Sequence, residues 1–141
     1  MLPADRHVFV YGTLRRGEQR DINRLKPTPV FVGAATLAGT LYDLGSYPGL
    51  QLGGGRAVLG EVYRISAELE AVLDEIEEVW PQQTGEYAKR DVPVNFVSPD
   101  AAGSLPASVL CLVYEIAADR TTGKSVIEDG DWVAYRGRKA A

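Results

Sequence analysis

The sequence predicts an α+β domain: a mixed, strongly curved or closed β-barrel with one main helix. Three observations carry this reading. Strand-favouring runs dominate the chain, glycines recur inside those runs where a sheet needs them in order to bend, and one stretch beginning at Ser66 repeats its apolar residues at helical spacing. With 141 residues the chain has the usual size of one domain and is long enough to bury a core without staples. No linker or internal repeat divides it, so residues 1–141 are read as one domain.

The first strand is the apolar run that starts at Val8 and stops abruptly at Gly12, followed by Thr13, Arg15, Arg16, Gly17 and Glu18. Gly12 lacks a Cβ, so the chain can turn sharply there and a ligand can approach the main chain, which makes the turn a candidate oxygen-binding nest. An ordinary strand running into a loop has the same appearance. Asp21 to Leu25 suits a short helical turn, which Pro27 and Pro29 stop. Val30 to Leu44 is apolar and β-favouring, and Gly33 and Gly39 punctuate it as a bent or bulged strand pair. Gly45 to Gly49 is a tight loop, Gly53-Gly54-Gly55 a second turn, and Val58 to Ile65 another strand.

Ser66 is a good N-cap for a helix running to Val79. Leu69, Val72, Leu73 and Ile76 give it one buried face, Trp80 falls on the same side, and Pro81 ends it. Tyr87 to Phe96 and Ala107 to Ile116 read as a long hairpin around a Pro/Gly/Ser-rich turn from Ser98 to Ser104. The last segment, Val126 to Tyr135, is short and aromatic and is expected to pack back over the core.

Composition narrows the function classes. No apolar run approaches the ~18–20 residues of a membrane span, and the amino terminus lacks a basic region followed by an apolar core, so the cytoplasm is the expected compartment. Cys111 is the single cysteine and lies in an apolar run, where a buried small hydrophobe is expected. His7 is the single histidine and stands before the first strand. A Cys–His dyad or a histidine-based metal site would have to be built from these two residues, and no metal is expected. A net charge of −4 argues against a nucleic-acid face, which needs clustered Lys and Arg. Arg136-Gly137-Arg138-Lys139 reads as a frayed, solvated terminus.

With thiol and imidazole nearly absent, the acid–base candidates are carboxylates and tyrosines. Glu70, Asp74, Glu75, Glu77 and Glu78 cluster on the helix. At ~100° per residue, Asp74 and Glu78 point away from the apolar face while Glu75 and Glu77 flank its margins. Partial desolvation at a margin raises a carboxyl towards a useful basic range, and the spacing does not choose between those two.

Val10 to Glu18, Gly39 to Leu50, Gly60 to Tyr63 and Leu73 to Glu77 together resemble the gamma-glutamylcyclotransferase-like (AIG2-like) family, in the family's order. The resemblance implies a barrel-like α+β fold enclosing a pocket. It also implies a reaction, the cyclisation of a gamma-glutamyl compound to 5-oxoproline with release of an amine, with no metal or organic cofactor. On that resemblance Tyr11, Gly12, Thr13 and Leu14 form the loop that holds the glutamyl part through main-chain N–H groups, Glu77 is the proton acceptor, and Tyr87 and Tyr114 line the pocket. The expected partner is a small-molecule gamma-glutamyl substrate rather than a nucleic acid or a membrane. A chain that kept the pocket without turnover would be a binding or regulatory module. The sequence departs from the family where Glu78 follows Glu77, since many relatives carry glycine there, and in Tyr87-Ala88-Lys89-Arg90, where Tyr-x-Arg is common. Arg15 and Arg16 are candidates for drawing in an anionic substrate.

Overall fold

Side chains alternate between the two faces of a strand, so an apolar run without polar interruptions needs cover on both sides. The first strand meets that demand. In the computed structural model, which describes residues 6–77, 84–97 and 107–140, β1 (Arg6–Val10) turns Phe9 into one core cluster and Val8 and Val10 into another. Tyr11, just past the strand's end, joins Phe9. The first cluster fills the inside of a barrel; the second lies between the barrel and a helix.

The long strands β2 (Val30–Asp43) and β3 (Pro48–Ile65) form an antiparallel pair. β1 lies between β3, to which it is antiparallel, and β5 (Ser108–Ile116), to which it is parallel. β4 (Tyr87–Phe96) is antiparallel to β5 and to β2. Because β2 also pairs with β3, the order β3-β1-β5-β4-β2 closes on itself as a mixed five-stranded barrel. A short strand, β6 (Ser125–Ile127), adds to the outer end of β2. The closed mixed barrel matches the fold class expected from the sequence; beside the main helix, α1 (Ala67–Ile76), the described residues form a second, α2 (Trp132–Ala140).

Local details differ from the expectation in several places. Val30 to Leu44 contains one continuous strand, not a pair; its bends are register shifts between Phe31 and Gly33 and between Ala38 and Gly39. Gly53-Gly54-Gly55 does not separate two strands: β3 runs through it, and the residues between Leu52 and Ala57 bulge out of register. Gly53 and Gly54 sit at φ +94° and +83°, and a bulge recruits the same left-handed residues as a turn. His7 lies within β1 rather than before it.

Ser66 caps α1 as expected, its Oγ accepting the Leu69 N–H at 3.2 Å. Leu69 and Leu73 are fully buried against the barrel, a contribution of roughly 1.5–3 kcal/mol each. The helix ends at Ile76, and Glu77 is its C-cap, with its N–H on the Leu73 carbonyl at 2.9 Å. Glu78, Val79, Trp80, Pro81 and the Ser98 to Ser104 turn lie outside the described residues. Among the described residues no helix is long and apolar enough to cross a membrane.

Asp131 stands just before α2, and its carboxylate accepts the Ala134 N–H at 3.2 Å. Its Trp132 is buried and donates its indole N–H to Glu18 at 3.0 Å; Arg136 donates to both Glu18 oxygens at 2.9 Å. Arg136 is therefore not part of a frayed tail. Glu18 is 4% exposed, and a buried carboxylate holds a cation against it because removal from water is costly without one. Arg138 pairs with Asp129 at 2.9 Å.

Candidate active site

Beyond β1 the chain leaves the sheet and folds back on itself. The Arg15 N–H closes onto the Gly12 carbonyl at 3.0 Å, and the Arg20 and Ile22 N–H groups reach the Thr13 and Leu14 carbonyls at 2.9 Å each. Asp21 pins the far side, accepting the N–H groups of Gly17 and Asn23 at 2.9 Å. Burial pushes its carboxyl up, but those N–H groups more than offset this and hold it below its ordinary value. The carbonyls of the loop are thus engaged, while the N–H groups of Gly12, Thr13 and Leu14 make no hydrogen bond among the described residues. Main-chain N–H groups free at a strand end suit an oxyanion or a carboxylate.

These residues line a cavity of about 360 Å³, whose other walls are Tyr47 from the β2–β3 turn, Pro48 at the start of β3, the end of α1, and the start of β4. Tyr11, Tyr87 and Tyr114 all line it. Each phenol is already committed: Tyr11 donates to the Tyr114 carbonyl at 2.7 Å, Tyr87 to the Pro48 carbonyl at 2.9 Å, and Tyr114 to Asp74 at 2.7 Å. Burial, the largest cause, drives all three well above the ordinary phenol range. They stay neutral and serve as walls.

Glu77 lines the same cavity. Its carboxyl makes no hydrogen bond among the described residues, yet its oxygens are not sealed off, since among those residues no buried side-chain oxygen lacks a partner. Burial lifts this carboxyl from 4.5 to about 7, with Arg20 opposing the rise and Glu86 adding to it. A carboxyl in that range exchanges protons readily at neutral pH. Glu75, its alternative at the other margin of the helix, is exposed and does not line the cavity.

Other candidates are placed elsewhere. Asp74 does not point away into solvent: Tyr114 and Lys89 hold it, Lys89 at 3.1 Å, because β4 and β5 supply polar partners on that side of α1. Arg15 is buried between Glu61 at 3.0 Å and Asp131 at 2.9 Å, and Arg16 lies 4.8 Å from the centre of the Phe31 ring. Neither arginine lines the cavity; the one that does is Arg20. Arg20, Tyr47 and Glu86 are site residues that the sequence did not single out. Tyr47 lies within the Gly39 to Leu50 block that carries the resemblance, while Arg20 and Glu86 have no local signal. Cys111 sits in the barrel interior, where burial pushes its thiol up to about 12. Among the described residues no group of three or more His, Cys, Asp or Glu could hold a metal ion.

The family described as gamma-glutamyl cyclotransferase, AIG2-like, matches this chain over residues 8–134. Among individual proteins, it is 42% identical over 73 residues to the gamma-L-glutamyl-butirosin B gamma-glutamyl cyclotransferase of Niallia circulans, a match covering 51% of this chain and 46% of that protein. The chain thus spans less than half the length of that relative. To the gamma-glutamylaminecyclotransferase of Rattus norvegicus it is 30% identical over 124 residues, 79% of this chain and 78% of that one. The crystal structure of an AIG2-like protein from Mus musculus superposes with a TM-score of 0.72 at 26% identity, covering 89% of this chain and 88% of the mouse chain. Fold and sequence agree over most of its length, and the chain belongs to the gamma-glutamyl cyclotransferase, AIG2-like family.

Proposed function

We propose that this chain cyclises a gamma-glutamyl amine or amino acid to 5-oxoproline and releases the amine, with Glu77 carrying the protons. The observation that supports this most is that Glu77 and the free N–H groups of Gly12, Thr13 and Leu14 open onto one cavity. The nucleophile is the substrate's own α-nitrogen, so the site has no need of a serine or cysteine. Its task is to fold the substrate so that this nitrogen meets the γ-carbonyl carbon, and then to move protons.

The α-nitrogen arrives as an ammonium and cannot attack. Glu77 takes one proton, the freed amine forms a bond to the γ-carbon, and negative charge passes to the carbonyl oxygen. The N–H groups of the Gly12 loop hold that oxygen or the α-carboxylate, and Arg20 favours the carboxylate. As the carbonyl re-forms, the original C–N bond breaks and Glu77 hands its proton to the departing nitrogen. The ring nitrogen then releases its second proton through the same carboxylate. No water is consumed, because the bond that breaks is replaced by one within the same molecule. A carboxyl near 7 suits both directions of this transfer.

The test is incubation of the purified chain with a panel of gamma-glutamyl amines and amino acids, with 5-oxoproline measured by chromatography. Formation from at least one compound is expected. A protein that binds members of the panel and forms 5-oxoproline from none is a binding module, and the reading fails.

A further inference from the structure

Among the described residues, the ionisable side chains other than tyrosine that line the cavity are Glu77, Glu86 and Arg20, two acids and one base. On the reading above, on which this inference rests, the glutamyl half of the substrate brings one carboxylate and one ammonium. Arg20 and the Gly12 loop suit the carboxylate, and Glu77 takes the ammonium's proton. Glu86 is then a negative charge with no counterpart on the glutamyl half.

Glu86 is also treated differently from the structural glutamates. Glu18 pairs with Arg136, Glu61 with Arg15, Glu70 with Arg6 and Lys89, and Glu115 with Arg90. Among the described residues no Lys or Arg pairs with Glu86 or with Glu77. The backbone of Glu86 is fixed at the entry to β4, where its carbonyl accepts the Ala117 N–H at 2.8 Å. One carboxylate oxygen accepts the Tyr47 hydroxyl at 2.5 Å; the other has no partner among the described residues. Arg120, whose charge is felt by Tyr47, turns its guanidinium instead to the Thr84 carbonyl at 3.4 Å. The carboxylate is therefore held in place by a neutral donor, with its other oxygen left for a ligand.

We propose that Glu86 receives a cationic group on the departing half of the substrate, so that the preferred substrates are gamma-glutamyl derivatives of diamines or polyamines rather than of uncharged amines. A charge-assisted hydrogen bond in a partly desolvated cavity discriminates strongly against a partner that lacks the charge.

The experiment compares two substrates that differ by one terminal ammonium: the mono-gamma-glutamyl amide of 1,4-diaminobutane and the gamma-glutamyl amide of butylamine. The wild-type chain is expected to show a kcat/KM at least about tenfold higher for the first, a ratio that falls as salt is raised. Glu86→Gln is expected to bring the ratio near one, with most of the change in KM. Tyr47→Phe, which keeps the charge, is expected to retain a preference for the cation. Equal turnover of the two compounds by the wild type overturns the inference while leaving the cyclisation reading intact, and so does an unchanged ratio in Glu86→Gln. Absence of 5-oxoproline from both compounds overturns the inference, and absence from every other member of the gamma-glutamyl panel as well overturns the reading with it.

Discussion

The ring of Pro48 occupies the space that a side chain at Gly12 would need: a Cβ there would stand 2.5 Å from Pro48 Cγ and 2.7 Å from Cδ. The Pro48 carbonyl in turn accepts the Tyr87 hydroxyl at 2.9 Å. The missing Cβ of Gly12 thus lets the first loop, the β2–β3 turn and β4 close around one cavity.

Gly12→Ala must move Pro48, and with it the acceptor of Tyr87. The expected cost is about 1–3 kcal/mol in urea denaturation, together with a raised KM for whichever gamma-glutamyl compound is turned over. Unchanged stability and KM would show that the contact is not limiting.

Glu77 carries a stability cost with a definite sign. Its folded pKa of about 7 lies above its ordinary 4.5, so the folded chain holds a proton that the unfolded chain has already lost. Stability on this account is complete below pH 4.5, declines as the pH rises to about 7, and is level above that. Glu77→Gln removes the decline. Relative to their difference at pH 4, the variant is expected to gain up to roughly 3 kcal/mol over wild type at pH 8. Parallel pH–stability curves for the two proteins would contradict the burial of this carboxyl.

The same shift sets the pH dependence of turnover. As a base Glu77 must be ionised, so kcat/KM is expected to fall on the acid side of about 7. Arg20 opposes the rise in the Glu77 pKa and Glu86 adds to it. Arg20→Gln should therefore move the acid limb to higher pH and Glu86→Gln to lower pH. Movement of both in one direction would remove Glu77 as the titrating group.

Glu18 ties the loop after β1 to α2. Glu18→Ala leaves the buried indole N–H of Trp132 without its acceptor, which is expected to cost about 1–3 kcal/mol and to alter the near-ultraviolet circular dichroism of the tryptophan. A variant of wild-type stability would show that α2 docks by apolar contact alone.

What the sequence makes legible is what is written locally. The unbroken apolar run of β1 and the spacing of Leu69 and Leu73 behind Ser66 lead directly to the strand and the helix that frame the cavity. The choice between Glu75 and Glu77 is not local: Glu77 leaves the helix as its cap, and Arg20 and Glu86 come to it from other parts of the chain. The resemblance makes that choice; spacing cannot. Gly53 and Gly54 mislead because a bulge and a turn require the same positive φ. α2 is hidden for another reason: its arginine answers to Glu18, 118 residues earlier, and without that partner the segment reads as a loose basic tail. The cap at Asp131 is the local signal that marks it.

The most direct test is the rate of 5-oxoproline release from a gamma-glutamyl substrate by wild type and by Glu77→Gln, each shown to be folded. A loss of at least about 100-fold in kcat is expected. Undiminished turnover in the variant would contradict the assignment of Glu77 as the proton carrier.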